Sequence, residues 1–300
     1  MTLQTIINSR IGIGLILAIG KIIPPKLGFK LADWVAKKIA SRKESLMVRA
    51  LRANQWIITG QKLTSEELDE QVLNTFQHIA HVQYDLYHNL DNYQATLDRM
   101  VLSPKLVGIL NSRREGTEGT LILAPHLSNF DLAGRAMALN GYDIQVLSYP
   151  QPHGGYQWQN RLRKEIGIDV SPMSTESLRR AKARLNAGGL VISGLERPLP
   201  ETNYYPKFFD HPAPVPVFYV RLALQTKCAM MIIACVGTPK EDYILECSDL
   251  IYLKPYKNPV LEIVKNAEKV LKVAEPFIRA HPEQWAMSYP VWPFALDQMP

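Results

Sequence analysis

The sequence contains no C-x-x-C pair, and its three cysteines, Cys228, Cys235 and Cys247, are odd in number and separately placed. No disulfide framework or zinc ribbon is expected, and a reducing compartment is the default. The chain also lacks G-x-S-x-G, G-x-x-x-x-G-K-[ST] and G-x-G-x-x-G. Nucleophile-elbow, phosphate-loop and dinucleotide readings therefore have no support. Repeats, low-complexity tracts and flexible linkers are missing as well. With 47% hydrophobic residues among 300, the chain can bury a substantial core. Nor is there an apolar run of spanning length. The N-terminal run, residues 11–20, would rise about 15 Å as a helix, half of the roughly 30 Å hydrocarbon core. A secretory signal is not expected, because Arg10 is the only early charge and a Lys21-Ile22-Ile23-Pro24-Pro25 stretch replaces the small-residue cleavage site.

Charge is present but unevenly spread. Residues 1–60 hold ten Lys/Arg against Asp33 and Glu44, a local +8 within an overall +6, so the other 240 residues sum to −2. Beyond Pro25, Leu27, Phe29, Leu31, Trp34, Val35 and Ile39 interleave with Lys26, Lys30, Lys37 and Lys38. Apolar and aromatic residues beside lysines suit a helix lying among anionic headgroups. Residues 1–60 are therefore expected to be membrane-associating helices, the alternative being a buried helix pair with a solvated basic face. An anionic membrane surface is the expected partner, and nucleic acid is not.

Residues 61–300 are expected to form the main domain, helical over 61–110 and α/β over 111–300. Thr64-Ser65-Glu66-Glu67 is a capping-box signature, and Leu68, Val72, Phe76, Ile79, Leu86 and Leu90 follow at helical spacing, predicting a helix over about 65–90. Its other face carries His78, His81, Asp85 and His88. Such a stripe could hold a metal in a hydrolase, or simply be a solvated polar face. Apolar runs at 119–125, 142–148, 190–193, 228–236 and 243–247 read as strands. Helical patterns at 129–139, 174–186 and 259–279 alternate with them, which implies an α/β layered domain.

The hexamer His126-Leu127-Ser128-Asn129-Phe130-Asp131 sits where the first buried strand gives way to a helix, a favoured place for catalytic groups. Across such a turn a carboxylate can hold an imidazole in one tautomer and leave its other nitrogen as a general base. His126 is thus the expected base and Asp131 its orienter.

This H-x-x-x-x-D hexamer resembles the motif of acyltransferases that place fatty acyl chains on membrane lipids, and Ser128 matches the H-x-S-x-x-D form of the glycerolipid acyltransferases. The rest of the chain is similar to the late acyltransferases of lipid A biosynthesis and the related phosphatidylinositol mannoside acyltransferases. The matches are Arg49-Ala50-Leu51-Arg52-Ala53-Asn54; Arg163 four before Gly167; Leu185-Asn186-Ala187-Gly188-Gly189 with Glu196-Arg197 and Phe208-Phe209; and His281-Pro282-Glu283-Gln284-Trp285. Where lipid A enzymes usually read Gly-Asn-Trp-Glu, this chain reads Ser128-Asn129-Phe130-Asp131. The resemblance implies a mixed central sheet flanked by helices and transfer of an acyl chain to a hydroxyl of a lipid or glycolipid. The donor would be a thioester of acyl-carrier protein or coenzyme A. It implies catalytic roles for His126, Asp131 and Arg163, with Arg163 steadying the oxyanion or binding donor phosphate. Ser128, Asn129, Glu196 and Arg197 would contact substrate. No metal or bound cofactor is required, and the cytoplasmic face of the inner membrane is the expected location. A protein of the same fold that binds membranes without catalysis is the remaining alternative. Trp285 reads most simply as a core or interface tryptophan.

Overall fold

Short apolar runs buried on both faces build the centre of a seven-stranded sheet in the computed structural model, which describes residues 20–150, 155–238 and 242–300. In spatial order the strands are β1 (Met100–Leu102), β9 (Tyr243–Cys247), β8 (Ala229–Gly237), β2 (Thr120–Ala124), β5 (Leu190–Gly194), β3 (Ile144–Ser148) and β4 (Asp169–Pro172). Every pairing is parallel except β8 with β9. A two-stranded ribbon, β6 (Lys207–Phe208) with β7 (His211–Pro212), stands apart.

Side chains alternate across a strand, and the alternation divides the core into two layers. Leu121, Leu123, Val191, Met230 and Ile232 face one side, where α8 (Thr175–Asn186), α9 (Phe218–Thr226) and α10 (Pro259–Ala280) cover them with Leu185, Tyr219, Val270 and Leu271. Ile122, Ile192, Met231 and Ile233 face the other. There α3 (Ser65–His88), α5 (Pro104–Glu115) and α6 (Phe130–Leu139) supply Val82, Leu86, Leu106, Leu132 and Ala136. Gly119 leads into β2 past the end of α8, and a Cβ there would lie 2.2 Å from the Leu185 carbonyl oxygen, so the close approach requires glycine.

The expected helices and strands form within about two residues of their anticipated bounds. The Thr64–Glu67 capping box is present, and α3 ends at His88. Helices α4 (Tyr93–Arg99) and α5 fall wholly or largely in the segment expected to be helical, 61–110, without having been delimited there, and α7 (Gly155–Glu165), α9, β1 and β4 were not expected. Each is short or carries a weak apolar period.

At the N-terminal end, α1 (Pro25–Ala40) packs on α3 through Gly28, Ala32 and Ala36, with Tyr84 against the Gly28 backbone. Its outer side exposes Leu27, Trp34, Lys26, Lys30, Lys37 and Lys38. The apolar run expected at 11–20 lies, apart from Gly20, outside the described residues. Within those residues no helix is long and apolar enough to cross a membrane. Unlike α1, α2 (Leu46–Ile58) is tied to the C-terminal segment. Asn54 donates to the Met287 and Tyr289 carbonyls and accepts from Val291 N–H, and Gln55 donates to the Pro282 carbonyl. The three cysteines are free and buried, and burial raises each thiol pKa.

Candidate active site

Between β2 and α6 the chain must turn from strand to helix in five residues, 125–129. Asn129 caps α6 by accepting from Leu132 N–H at 3.2 Å. Ser128 takes φ +47°, a left-handed conformation that side chains other than glycine adopt at some energetic cost. Surrounding contacts hold it there. Ser128 N–H donates to the Gln284 carbonyl at 2.9 Å, and its hydroxyl is 2.9 Å from His78 Nε2. Leu127 bridges Trp285 in antiparallel fashion, and Ala286 N–H donates to the His126 carbonyl at 2.8 Å. The 126–128 turn is thus laid against residues 284–286.

The carboxylate at the imidazole comes from the neighbouring strand. Parallel register pairs Ala124 of β2 with Gly194 of β5, and two residues beyond each stand His126 and Glu196. Glu196 Oε1 accepts the His126 backbone N–H at 2.7 Å and lies 3.3 Å from His126 Nδ1. It also accepts the Trp285 indole N–H at 2.9 Å. The carboxylate is fully buried. Burial alone would raise its pKa, but the charge of His126 and the bonds from His126 and Trp285 hold it below the usual value. An acceptor at Nδ1 places the imidazole proton there and leaves Nε2 as the basic nitrogen. Among the described residues nothing bonds to Nε2. The His126 side chain keeps 22% of its exposure, with Phe130 edge-on at 5.2 Å. Gly194 leaves the space beside the ring, since a Cβ there would come within 3.3 Å of His126 Cε1.

Asp131 is placed differently from the expectation that it orients His126. It falls in the first turn of α6, and its Oδ1 accepts two bonds from Arg163 of α7, from Nε at 2.8 Å and Nη2 at 2.5 Å. Arg163 Nη1 donates to Asn160 Oδ1 at 3.0 Å. Of the five N–H donors of a guanidinium, these bonds use three, leaving two. Tyr87 of α3 joins this group. Its hydroxyl pKa is pushed up to about 12 by burial and by the Asp131 charge. Arg197 stands at the rim with its guanidinium 4.3 Å from the ring centres of both Tyr149 and Tyr289, and it donates to the Tyr289 hydroxyl at 3.0 Å. Both tyrosines are about 40% exposed.

His126, Glu196 and Trp285 therefore come together, Asp131 and Arg163 pair beside them, and Ser128 and Asn129 are buried in holding the turn. The histidine stripe on α3 is not assembled for a metal. His78 bonds Ser128, His81 faces Asp33 at 2.9 Å, and His88 bonds the Gly20 carbonyl. Asp85 is taken by Arg99, Asn89 and the Tyr243 hydroxyl. Among the described residues no three His, Cys, Asp or Glu side chains converge in a way that could hold a metal ion. Tyr87, Gln284 and Trp285 had no assigned part in the site from sequence. Only the Glu283-Gln284-Trp285 match offered a signal, and it carried no chemistry until the fold brought Trp285 to Glu196.

Comparison with known proteins gives two findings. The sequence profile of the family described as bacterial lipid A biosynthesis acyltransferase matches residues 3–293. The chain is also similar to a phosphatidylinositol mannoside acyltransferase from Mycobacterium tuberculosis (strain ATCC 25618 / H37Rv), at 27% identity over 186 residues. That alignment covers 58% of this chain and 54% of the relative, so the chain matches about half the length of that protein.

Proposed function

The chain belongs to the bacterial lipid A biosynthesis acyltransferase family, and on that footing we propose that it is an O-acyltransferase moving a fatty acyl chain from a thioester to a hydroxyl of a lipid or glycolipid. The observation that carries this reading is the partly exposed His126 imidazole, with buried Glu196 at Nδ1 and no hydrogen-bond partner at Nε2 among the described residues. In this scheme the acceptor hydroxyl gives its proton to His126 Nε2 as its oxygen attacks the thioester carbonyl. Glu196 stabilises the imidazolium that forms. The tetrahedral intermediate collapses, the carbon–sulfur bond breaks, and the leaving thiolate takes the proton back from Nε2. The products are an ester and a free thiol, with no atom or electron left over.

Arg163 is the proposed cationic group for the developing oxyanion or for donor phosphate, with Asp131 holding its fork and two N–H groups remaining. The donor is acyl-carrier protein or coenzyme A thioester. A glycolipid acceptor is supported by the name of the mycobacterial relative. Location at the cytoplasmic face of the inner membrane is part of the same proposal. Residues 1–60 would supply the contact, chiefly through the Leu27, Trp34 and lysine side of α1.

Replacing His126 with Ala should lower turnover of an acyl thioester by about 10²–10⁴ while leaving the far-UV spectrum and melting profile in place. Near-native turnover in that variant would sink the mechanism.

A further inference from the structure

Trp285 is fully buried among Phe208 and Trp292, which is enough to account for a tryptophan as packing. Its indole N–H, however, does not point at packing. It donates to Glu196 Oε1, the same oxygen that receives the His126 backbone N–H and faces His126 Nδ1. Its backbone is the partner of Leu127 in the bridge beside His126. The residue before it fixes the segment from the other side. Gln284 accepts Gly237 N–H at 2.8 Å and donates to the Gly237 carbonyl at 3.0 Å, at the end of β8. Gln55 of α2 holds the Pro282 carbonyl. Residues 282–286 are thus clamped to two elements of the fold and reach Glu196 and the His126 turn through one side chain and two backbone hydrogen bonds.

We propose that Trp285 is a positioning residue for the acyl transfer. Its N–H orients the Glu196 carboxylate toward His126 and disperses the carboxylate charge, which sets how readily the imidazole gives up its proton. The proposal rests on His126 acting as the base, as put forward above. Its physical core is that a buried carboxylate with few donors is a stronger partner for an imidazolium than one with more donors. Glu196 Oε2 is buried with no hydrogen-bond partner among the described residues. The donors that shape the carboxylate's charge are therefore all on Oε1. The groups acting on its ionisation are His126 and Trp285. Taking the Trp285 donor away should tighten the ion pair, rotate the carboxylate and keep the imidazole protonated to higher pH.

The neighbouring Trp292 supplies an internal control. It is equally buried in the same aromatic cluster, and its Nε1 has no hydrogen-bond partner among the described residues. Trp285→Phe and Trp292→Phe should therefore cause similar losses of packing, with Trp285→Phe losing in addition one hydrogen bond to a buried carboxylate. Only Trp285→Phe should lower kcat, by about tenfold, and move the acid limb of the pH–kcat/KM profile up by about one unit, with KM for the donor little changed. Should Trp285→Phe fail to fold, replacement of Trp285 by β-(3-benzothienyl)alanine keeps the bicyclic shape and removes the donor, and the same shift is expected. Equal kcat and superimposable pH profiles for the Trp285 and Trp292 variants overturn the proposal. If His126→Ala is inactive in that case, the mechanism stands and only the role of Trp285 is lost. If His126→Ala is active, both fall.

Discussion

His126 has two carboxylates close to it in chain or in space, and they are engaged differently. Glu196 is bonded to the imidazole, whereas Asp131 is bonded to Arg163. Their removal should leave different marks. Glu196→Gln takes a negative charge from the imidazole, so the residual activity should show its acid limb at lower pH. Asp131→Asn should leave that limb where it is and lower kcat by freeing the guanidinium, as a milder version of Arg163→Ala, for which about 10² in kcat is expected. The pH–rate profiles of the two variants are the check, and a shift confined to Asp131→Asn would reverse the assignment. His78 makes a separate, thermodynamic prediction. Burial, with smaller repulsion from His81 and His281, lowers its pKa to about 4. The unfolded chain takes up that proton below about 6.5 and the folded protein only below about 4. The unfolded state therefore binds more protons across this window, and stability falls as pH drops through it. At full extent the loss is about 3 kcal/mol. Denaturant titrations at pH 7 and pH 4.5 should show it, and His78→Asn should flatten the difference.

At the scale of elements, capping and apolar period were legible because they are local. Thr64 with Glu67 announces α3, and Asn258 and Ser174 likewise cap α10 and α8 through their own side chains. A cap alone did not announce an element: Asn92 caps α4 and Ser103 caps α5, but α4 is only two turns long and α5 has a weak apolar period. Helix α7 opens within a glycine pair and carries few apolar residues, and β1 has three residues whose partner, β9, lies far along the chain. Contacts between elements are also where two glycines part company. Gly119→Ala would drive a Cβ into the Leu185 backbone, and a loss of about 3 kcal/mol is expected because neither β2 nor α8 can retreat without disturbing the sheet. Gly108→Ala, mid-way along α5 with nothing within 4 Å of the new Cβ, should instead stabilise by about 0.5–1 kcal/mol. Thermal melts of the pair decide the matter. Two shifts of the same sign and size would contradict the packing described for β2 and α8.

For the whole molecule, the side of α1 that faces away from α3 is a surface of Leu27, Trp34 and four lysines, and each lysine near an anionic bilayer adds about 1 kcal/mol of attraction. The full chain is expected to float with anionic vesicles at low salt. Charge reversal of Lys26, Lys30, Lys37 and Lys38 to Glu should release it without affecting turnover of a soluble thioester. A full-length protein that stays free of such vesicles would remove the membrane reading. The sequence by itself determined the α/β alternation, the strand-to-helix position of His126, the basic character of the N-terminal region and the motif order that pointed to the family. These follow from local periodicity, caps and composition, which neighbouring residues fix among themselves. It could not determine which carboxylate meets the imidazole. Asp131 is five residues away but its direction is set by the first turn of α6, where Arg163 receives it. Glu196 is seventy residues away, and only the pairing of β2 beside β5 brings it level with His126. Trp285 reaches the same oxygen from near the other end of the chain, because the 284–286 segment lies along the turn. Strand order and register are settled by the packing of two apolar layers across the whole sheet, so the pairing of His126 with Glu196 was decided in the tertiary structure.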